Sequence, residues 1–333
     1  MKNAFGMNIT GLMMLIISVF VSLSFGSVET SFSDVWESMM APTSTDLMSR
    51  IIIDLRLPRV ILALLAGVGL AVTGQTLQTV TRNPLADPYL FGISSGASFG
   101  AVAFTILAAS VGVTASLAAS LGITAFAFTG AAASVFLVLI LSGVHQQLQV
   151  ERMLLSGVAI SFMFSAFSSL LLYFAQPQAA ASVLFWGLGS FTQANWEMLL
   201  WPTIVVTCSI LALQLLQPWI NTLQLGDETA QTLGVPVQKL RLSVLLICSL
   251  ITAVLVANCG GIGFVGLMIP HLVRMIFRTN SLALSGLVGG IFMVWVDVLA
   301  RTLLSSQELP VGIITTALGS VFFIGIMSRK THS

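Results

Sequence analysis

The sequence is short of charge. Of its 333 residues only 8% are Asp, Glu, Lys or Arg, while 56% are hydrophobic; a soluble globular domain carries about 25% charge. That excludes a soluble protein with an ordinary surface. The formal net charge is +1, so there is no electrostatic case for a nucleic-acid partner. Cysteine is scarce. Cys208, Cys248 and Cys259 all lie in or at the ends of apolar runs. Their odd number and their spacing support neither a disulfide framework nor a metal site, and they read as small packing residues. No GxxxxGK[ST] phosphate loop occurs, so the chain has no ATP site of its own. Nor is there an HExxH or a pair of aspartates inside the apolar runs, which leaves an intramembrane enzyme without a catalytic set.

What the chain has in abundance is long apolar stretches. Ten are read, at about 9–26, 60–81, 89–111, 114–142, 153–175, 197–219, 240–258, 260–277, 281–300 and 310–328. A helix needs about 20 apolar residues to cross about 30 Å of hydrocarbon. The expectation is an all-α membrane protein of about ten transmembrane helices in a single domain, 1–333. The first stretch follows Lys2 and is expected to be an uncleaved span, because it is long for a signal peptide and further spans follow. The eighth, "GGIGFVGLMIPHLVRMIF", is interrupted by glycines and Pro270 and is expected to be short or irregular.

The basic residues orient the chain. With the N-terminus in the cytoplasm and strict alternation, Lys2, Arg82, Arg152, Lys239, Arg241, Arg274, Arg278, Arg329 and Lys330 fall inside. Only Arg50, Arg56, Arg59 and Arg301 fall outside. That is the positive-inside pattern, with both termini cytoplasmic.

Between the second and third stretches lies "RNPLADP" (82–88). Pro84 and Pro88 remove backbone donors and bias Asn83 and Asp87 away from helix, which predicts a sharp cytoplasmic turn. The "GISSGASFGA" that follows sets Gly92, Gly96 and Gly100 four apart, on one face of a helix, where small residues let backbones approach in lipid. Between the sixth and seventh stretches, loop 221–239 contains "LQLGDETAQTLGVPVQKLR". Asp227 reads as an N-cap, Glu228 as a first-turn acid, Gly234 as the stop and Pro236 as the residue after it, predicting a helix over 228–233. On the outer side, 27–50 predicts a short amphipathic helix over 33–40 capped by Ser33, and a second short helix is expected after the fifth span. Trp186 and Trp196 are placed at the membrane boundary, and Met39 and Met40 are read as interface packing.

Several of these stretches carry a family resemblance. "LRLPRVILALLAGVGLAVTGQTLQTVTRNPLADPYLFGISSGASFGA", "LFWGLGSFTQANW", "LQLGDETAQTLGVPVQKLR", "GGIGFVGLMIPHLVRMIFRTN" and "DVLARTLLSSQELPVGIITTALGSVFFIGIM" resemble, in order and spacing over about 50–328, the permease subunits of FecCD-type ABC importers. These take up iron siderophores, haem and cobalamin. The resemblance implies a type II ABC importer permease fold in the cell's inner membrane, working as a pair with a second permease copy or a homologue. It implies two ATPase subunits that bind ATP and Mg, a periplasmic substrate-binding protein that delivers cargo, and no cofactor or metal in this chain. It further implies that 228–233 is the helix that couples to the ATPase, with Leu225, Gly226, Asp227, Glu228, Ala230, Leu233 and Gly234 at the contact, Leu225, Ala230 and Leu233 being its apolar members. It implies that Arg56, Arg59 and Arg301 receive acidic residues of the binding protein; intramolecular pairing, Arg301 with Asp297 four residues before it, is the alternative reading. Asn83, Pro84, Asp87, Ser142 and Gly143 are turn and gate candidates at the inner end of the path. His271 is expected to be a hydrogen-bonded structural residue and His145 a solvated loop residue. An ion-coupled secondary transporter would need buried carboxylates and inverted halves, and neither is visible. A channel would leave the coupling-type loop unexplained.

Overall fold

A computed structural model describes the backbone at all positions except 1, 27, 29, 42–45, 112–116, 144–149, 305–306 and 331–333. Side chains are described at those same positions except 2–5, 109–111, 117–121, 150 and 329–330. In chain order the helices are α1 (Lys2–Ser24), α2 (Phe32–Met40), α3 (Leu47–Arg50), α4 (Leu57–Thr81), α5 (Ile93–Val111), α6 (Leu117–Leu141), α7 (Val150–Tyr173), α8 (Pro177–Gly187), α9 (Trp196–Thr222), α10 (Asp227–Thr232), α11 (Val237–Cys259), α12 (Val265–Phe277), α13 (Leu282–Thr302) and α14 (Val311–Lys330). Among the described residues eight helices are long and apolar enough to cross a membrane, where ten spans were expected. The third and eighth stretches instead hold shorter apolar helices, Ile93–Ala108 and Val265–Phe277. The second is shortened by the irregular segment 260–264, with Phe264 in a left-handed conformation, and it carries Pro270 inside it. His145 lies outside the described residues.

The chain divides into two compact units, each assembled from separated stretches. The first comprises Met1–Val72, Gly189–Ile204 and Ile262–Ser333. Here α3 passes through a π-helical segment, Ile51–Arg56, directly into α4. The Leu57 N–H reaches back five residues to the Ile52 carbonyl. The wider turn shifts which face each following side chain takes. Leu23, Val35, Ile52, Val60 and Val294 form a buried cluster that joins α1, α2, the π segment, α4 and α13. Further along, α4 and α13 cross with almost nothing between them: a methyl added to Gly67 or Gly289 would collide with the other's carbonyl. Close approach through small residues is how helices associate where lipid removes the hydrophobic drive.

α2 starts one cap earlier than expected. Ser31, not Ser33, accepts from the Asp34 N–H at 3.2 Å, and the Ser31 N–H donates to Asp34 Oδ2 at 2.8 Å. A capping box needs an acid or amide three residues after the cap. Ser31 has Asp34 at that place, whereas Ser33 would have Trp36.

The second unit comprises Thr73–Leu188 and Val205–Gly261. Within it α5 packs on α6 and α7, and α11 on α5 and α6. Two of the three glycines expected on one face do pack backbone to backbone, Gly96 against Gly130 and Gly100 against the Phe126 carbonyl. Gly92 does something different: it closes the 3-10 turn Pro88–Phe91 in a left-handed conformation, φ 71°. Its contribution is first conformational, because a side chain pays to occupy that region and glycine does not, and a methyl there would also meet the Ser134 hydroxyl at 2.6 Å. The helix after the fifth span, α8, begins at Pro177, a residue suited to the first helical turn. Trp196 is exposed and donates its indole N–H to the Ile53 carbonyl at 3.1 Å.

Candidate functional site

Three sets of polar residues stand out against the apolar helices. One is the helix between the sixth and seventh long stretches. Residues 223–225 make a 3-10 turn, Gly226 is the N-cap, and α10 runs Asp227–Thr232. The expected N-cap was Asp227, with helix over 228–233. The shift has an electrostatic cause. The Asp227 carboxylate does not fold over its own helix end. It accepts from Arg82 at 2.9 Å and from Arg241 at 3.1 Å on both oxygens. Arg82 follows the last residue of α4 and holds a left-handed φ of 53°, a conformation costing a non-glycine residue on the order of 1 kcal/mol. Arg241 is buried on the first turns of α11. One carboxylate thus ties α10 to the end of α4 and the beginning of α11.

The C-terminal end of α10 is closed as the sequence predicts. Gly234 has φ 81°, its N–H donates to the Gln231 carbonyl at 2.9 Å, and the Val235 N–H donates to the Ala230 carbonyl at 3.0 Å. That pair of bonds is the Schellman motif. Ala230 is buried and cannot be an apolar contact for another protein, which corrects that part of the expectation. In a helix of six residues one position must face the supporting chain, and Ala230 is it. Leu225 and Leu233, 64% and 61% exposed, flank the helix, and Glu228 and Gly234 are exposed as well.

Close by in the same unit is the turn 82–92. The Asn83 side chain accepts from the Leu85 N–H at 2.9 Å, and Asp87 accepts from the Tyr89 N–H at 2.8 Å. Both are local turns of the kind Asn and Asp favour, and Pro84 and Pro88 follow them directly. Burial pushes the Asp87 carboxyl up to about 6, against the pull of the Tyr89 N–H. Ser142, buried, donates to the Leu139 carbonyl at 3.0 Å, and Gly143 ends α6 with φ 76°. The structure brings Arg82, Asp227 and Arg241 together.

The third set lies in the first unit and contains the three arginines expected to face a partner. All three are engaged inside the chain. Arg56 is buried, and its guanidinium donates to the carbonyls of Leu23 and Val28 at 2.7 and 2.6 Å and to the Thr30 hydroxyl at 2.8 Å. Arg301 donates to the Ser22 hydroxyl at 2.7 Å and to the Phe25 carbonyl at 2.9 Å, and pairs with Asp297 at 3.2 Å. Arg59 pairs with Asp297 at 2.8 Å and with Glu308 at 2.8 Å. The side chain of Asp297 is wholly buried between the two arginines, whereas that of Glu308 is 44% exposed. Spacing alone suggests the Asp297–Arg301 pair, four apart on α13. Nothing local announces Glu308, which is distant in sequence from Arg59, nor Arg82 and Arg241 as the holders of Asp227. Arg50 sits apart, a surface charge 3.8 Å from Asp54. No group of three or more His, Cys, Asp or Glu among the described residues could hold a metal ion. His271 packs against the rings of Phe322 and Phe323.

Long apolar helices that pack through glycine, with a short helix set between two of them, are those of a multi-pass membrane protein. The chain belongs to the FecCD transport family, whose model matches residues 14–329. It is 36% identical to the hemin transport system permease protein HmuU of Yersinia pestis over 324 residues, 96% of this chain and 94% of that one. It is 36% identical to the vitamin B12 import system permease protein BtuC of Vibrio vulnificus over 303 residues, 89% and 88% of the two chains. Its fold matches a solved metal-chelate-type ABC transporter in an inward-facing conformation, with TM-score 0.83, 32% identity and 99% of both chains covered. The protein is a permease subunit of the ABC transporter class and not a catalytic enzyme.

Proposed function

We propose that this chain is the membrane subunit of an ATP-driven importer that carries a ferric siderophore, or haem, from the periplasm to the cytoplasm. It sits in the inner membrane with both termini cytoplasmic. It pairs with a second permease, receives cargo from a periplasmic binding protein and is driven by two ATPase subunits that hold ATP and Mg. Cobalamin is the second reading of the cargo, in keeping with a relative named for vitamin B12 import.

One observation carries the reading: a six-residue helix, closed at its C-terminal end and clamped by Asp227, keeps Leu225 and Leu233 exposed beside Glu228. Exposed leucines at both ends of a short rigid helix outside the spans are suited to seating in a groove of another protein. The clamp makes the seat stiff, so that displacement of α10 is passed to α4 and α11. The arginine set serves the opposite partner. Arg59 has an exposed and exchangeable acid in Glu308, so an incoming carboxylate can compete for it; Arg56 and Arg301 hold the frame around it. Ser142 and Gly143 act where α6 ends, as part of the inner gate. The test is Leu225→Glu with Leu233→Glu. The ATPase should no longer co-purify and uptake should stop, with the permease's melting temperature unchanged. An ATPase that still co-purifies with full uptake overturns the coupling assignment.

A further inference from the structure

The helix α2 has three faces, and the functional reading uses none of them. At about 100° per residue, Val35 and Ser38 share one sector. Val35 lies in the buried cluster with Leu23, Ile52, Val60 and Val294, and the Ser38 hydroxyl meets that of Ser49 at 3.0 Å in a buried contact. Ser33 and Glu37 share a second, exposed polar sector. Phe32, Trp36, Met39 and Met40 fill the third, and they too are exposed, Trp36 by 58% and Met40 by 65%.

We propose that this third sector is embedded in a lipid surface: α2 lies in the headgroup boundary of the leaflet at the C-terminal end of α1, with Trp36 as its anchor. Two observations select lipid over another protein. The sector is continuous with a membrane span, because Phe20, inside the candidate span Gly6–Ser24, stacks on Phe32 with ring centroids 6.2 Å apart and meets Trp36 edge-on at 6.4 Å. That same span presents Leu12, Met13, Met14, Ile16 and Ile17 outward. The chain also gives α2 little freedom to leave the boundary, since it is joined by short links to spans on both sides, Gly6–Ser24 before it and Leu47–Thr81 after it. An aromatic and methionine sector beside a polar one, held at that depth, has the amphipathic pattern of a helix that lies in the interface plane, with Glu37 standing where such helices commonly carry Lys or Arg. The indole suits this place because its body is apolar and its N–H polar.

The experiment uses the full chain in phosphatidylcholine nanodiscs, in a Cys208→Ser background; the other two cysteines are buried. Single cysteines at Trp36→Cys, Met40→Cys and Glu37→Cys receive a small environment-sensitive fluorophore. Lipids brominated near the headgroup should extinguish much of the emission from positions 36 and 40 and little from 37. Aqueous iodide should do the reverse. If iodide quenches positions 36 and 40 while brominated lipid does not, the sector faces water and the proposal fails. If neither quencher reaches them, a second copy or another protein covers the sector, and the proposal fails equally.

Discussion

Two aspartates do opposite things with the same chemistry. Asp297 is wholly buried between Arg59 and Arg301 in the first unit, while Asp227 is one-third exposed between Arg82 and Arg241 in the second. Both join helices distant in sequence. Around Asp297 most of the arginine donors go to carbonyls, hydroxyls and carboxylates of the chain, with Glu308 the exposed exception, so the Asp297 charge itself acts as an internal fastener. Around Asp227 the supporting arginines are internal but the helix they hold presents leucines and an acid outward. Burial, not residue type, decides whether a charged group in such an apolar chain fastens helices or also props up a surface for another protein.

That contrast can be broken from either side. Asp297→Ala should have the largest effect. It strips a buried carboxylate from two largely buried guanidinium groups, and breaking a buried pair this way costs about 3–5 kcal/mol; a melting curve of the purified protein that does not move would mean Asp297 fastens nothing. Asp87→Asn keeps the acceptor for the Tyr89 N–H but removes a charge whose carboxyl is pushed up to about 6. A raised carboxyl penalises the fold as pH climbs through the window from 3.8 to about 6. The Asn variant should therefore be more stable at pH 7.5, by up to about 3 kcal/mol, and the gain should vanish near pH 4; a gain that grows on acidification reverses the sign and refutes the account. Asp227→Ala should cost the fold less than Asp297→Ala, because Asp227 and Arg82 are partly solvated and only Arg241 is buried, yet reduce uptake far more than it lowers the melting temperature. Equal losses in both readouts would make Asp227 a fold residue like Asp297. Arg50→Ala should shift stability by under about 0.5 kcal/mol, as exposed pairs do, and a larger shift would show that exposure is a poor guide here.

Much of this was legible from local pattern. The stop at Gly234 and Pro236, the turn at Asn83 and Asp87, the broken stretch 260–277 and the pairing of Asp297 with Arg301 follow from short-range rules. What escaped depends on long-range partners. Asp227 looks like an N-cap until Arg82 and Arg241 arrive to take its carboxylate. Ala230 looks like a contact residue because six helical residues give too little periodicity to show which side faces in. Gly92 reads as one more small residue on a stripe, whereas the preceding 3-10 turn requires its left-handed backbone. The Gly67–Gly289 crossing has no local signature, since each glycine acquires meaning only from the other.

The contact between Gly96 and Gly130 has a mechanical corollary. Side chains usually cushion one rod against the next, and switching rotamer lets a bundle slide. Where bare backbone rests on bare backbone there is no such bearing. The pair α5–α6 should travel as one girder during a transport cycle, and any sliding must happen along seams lined by longer, bendable groups.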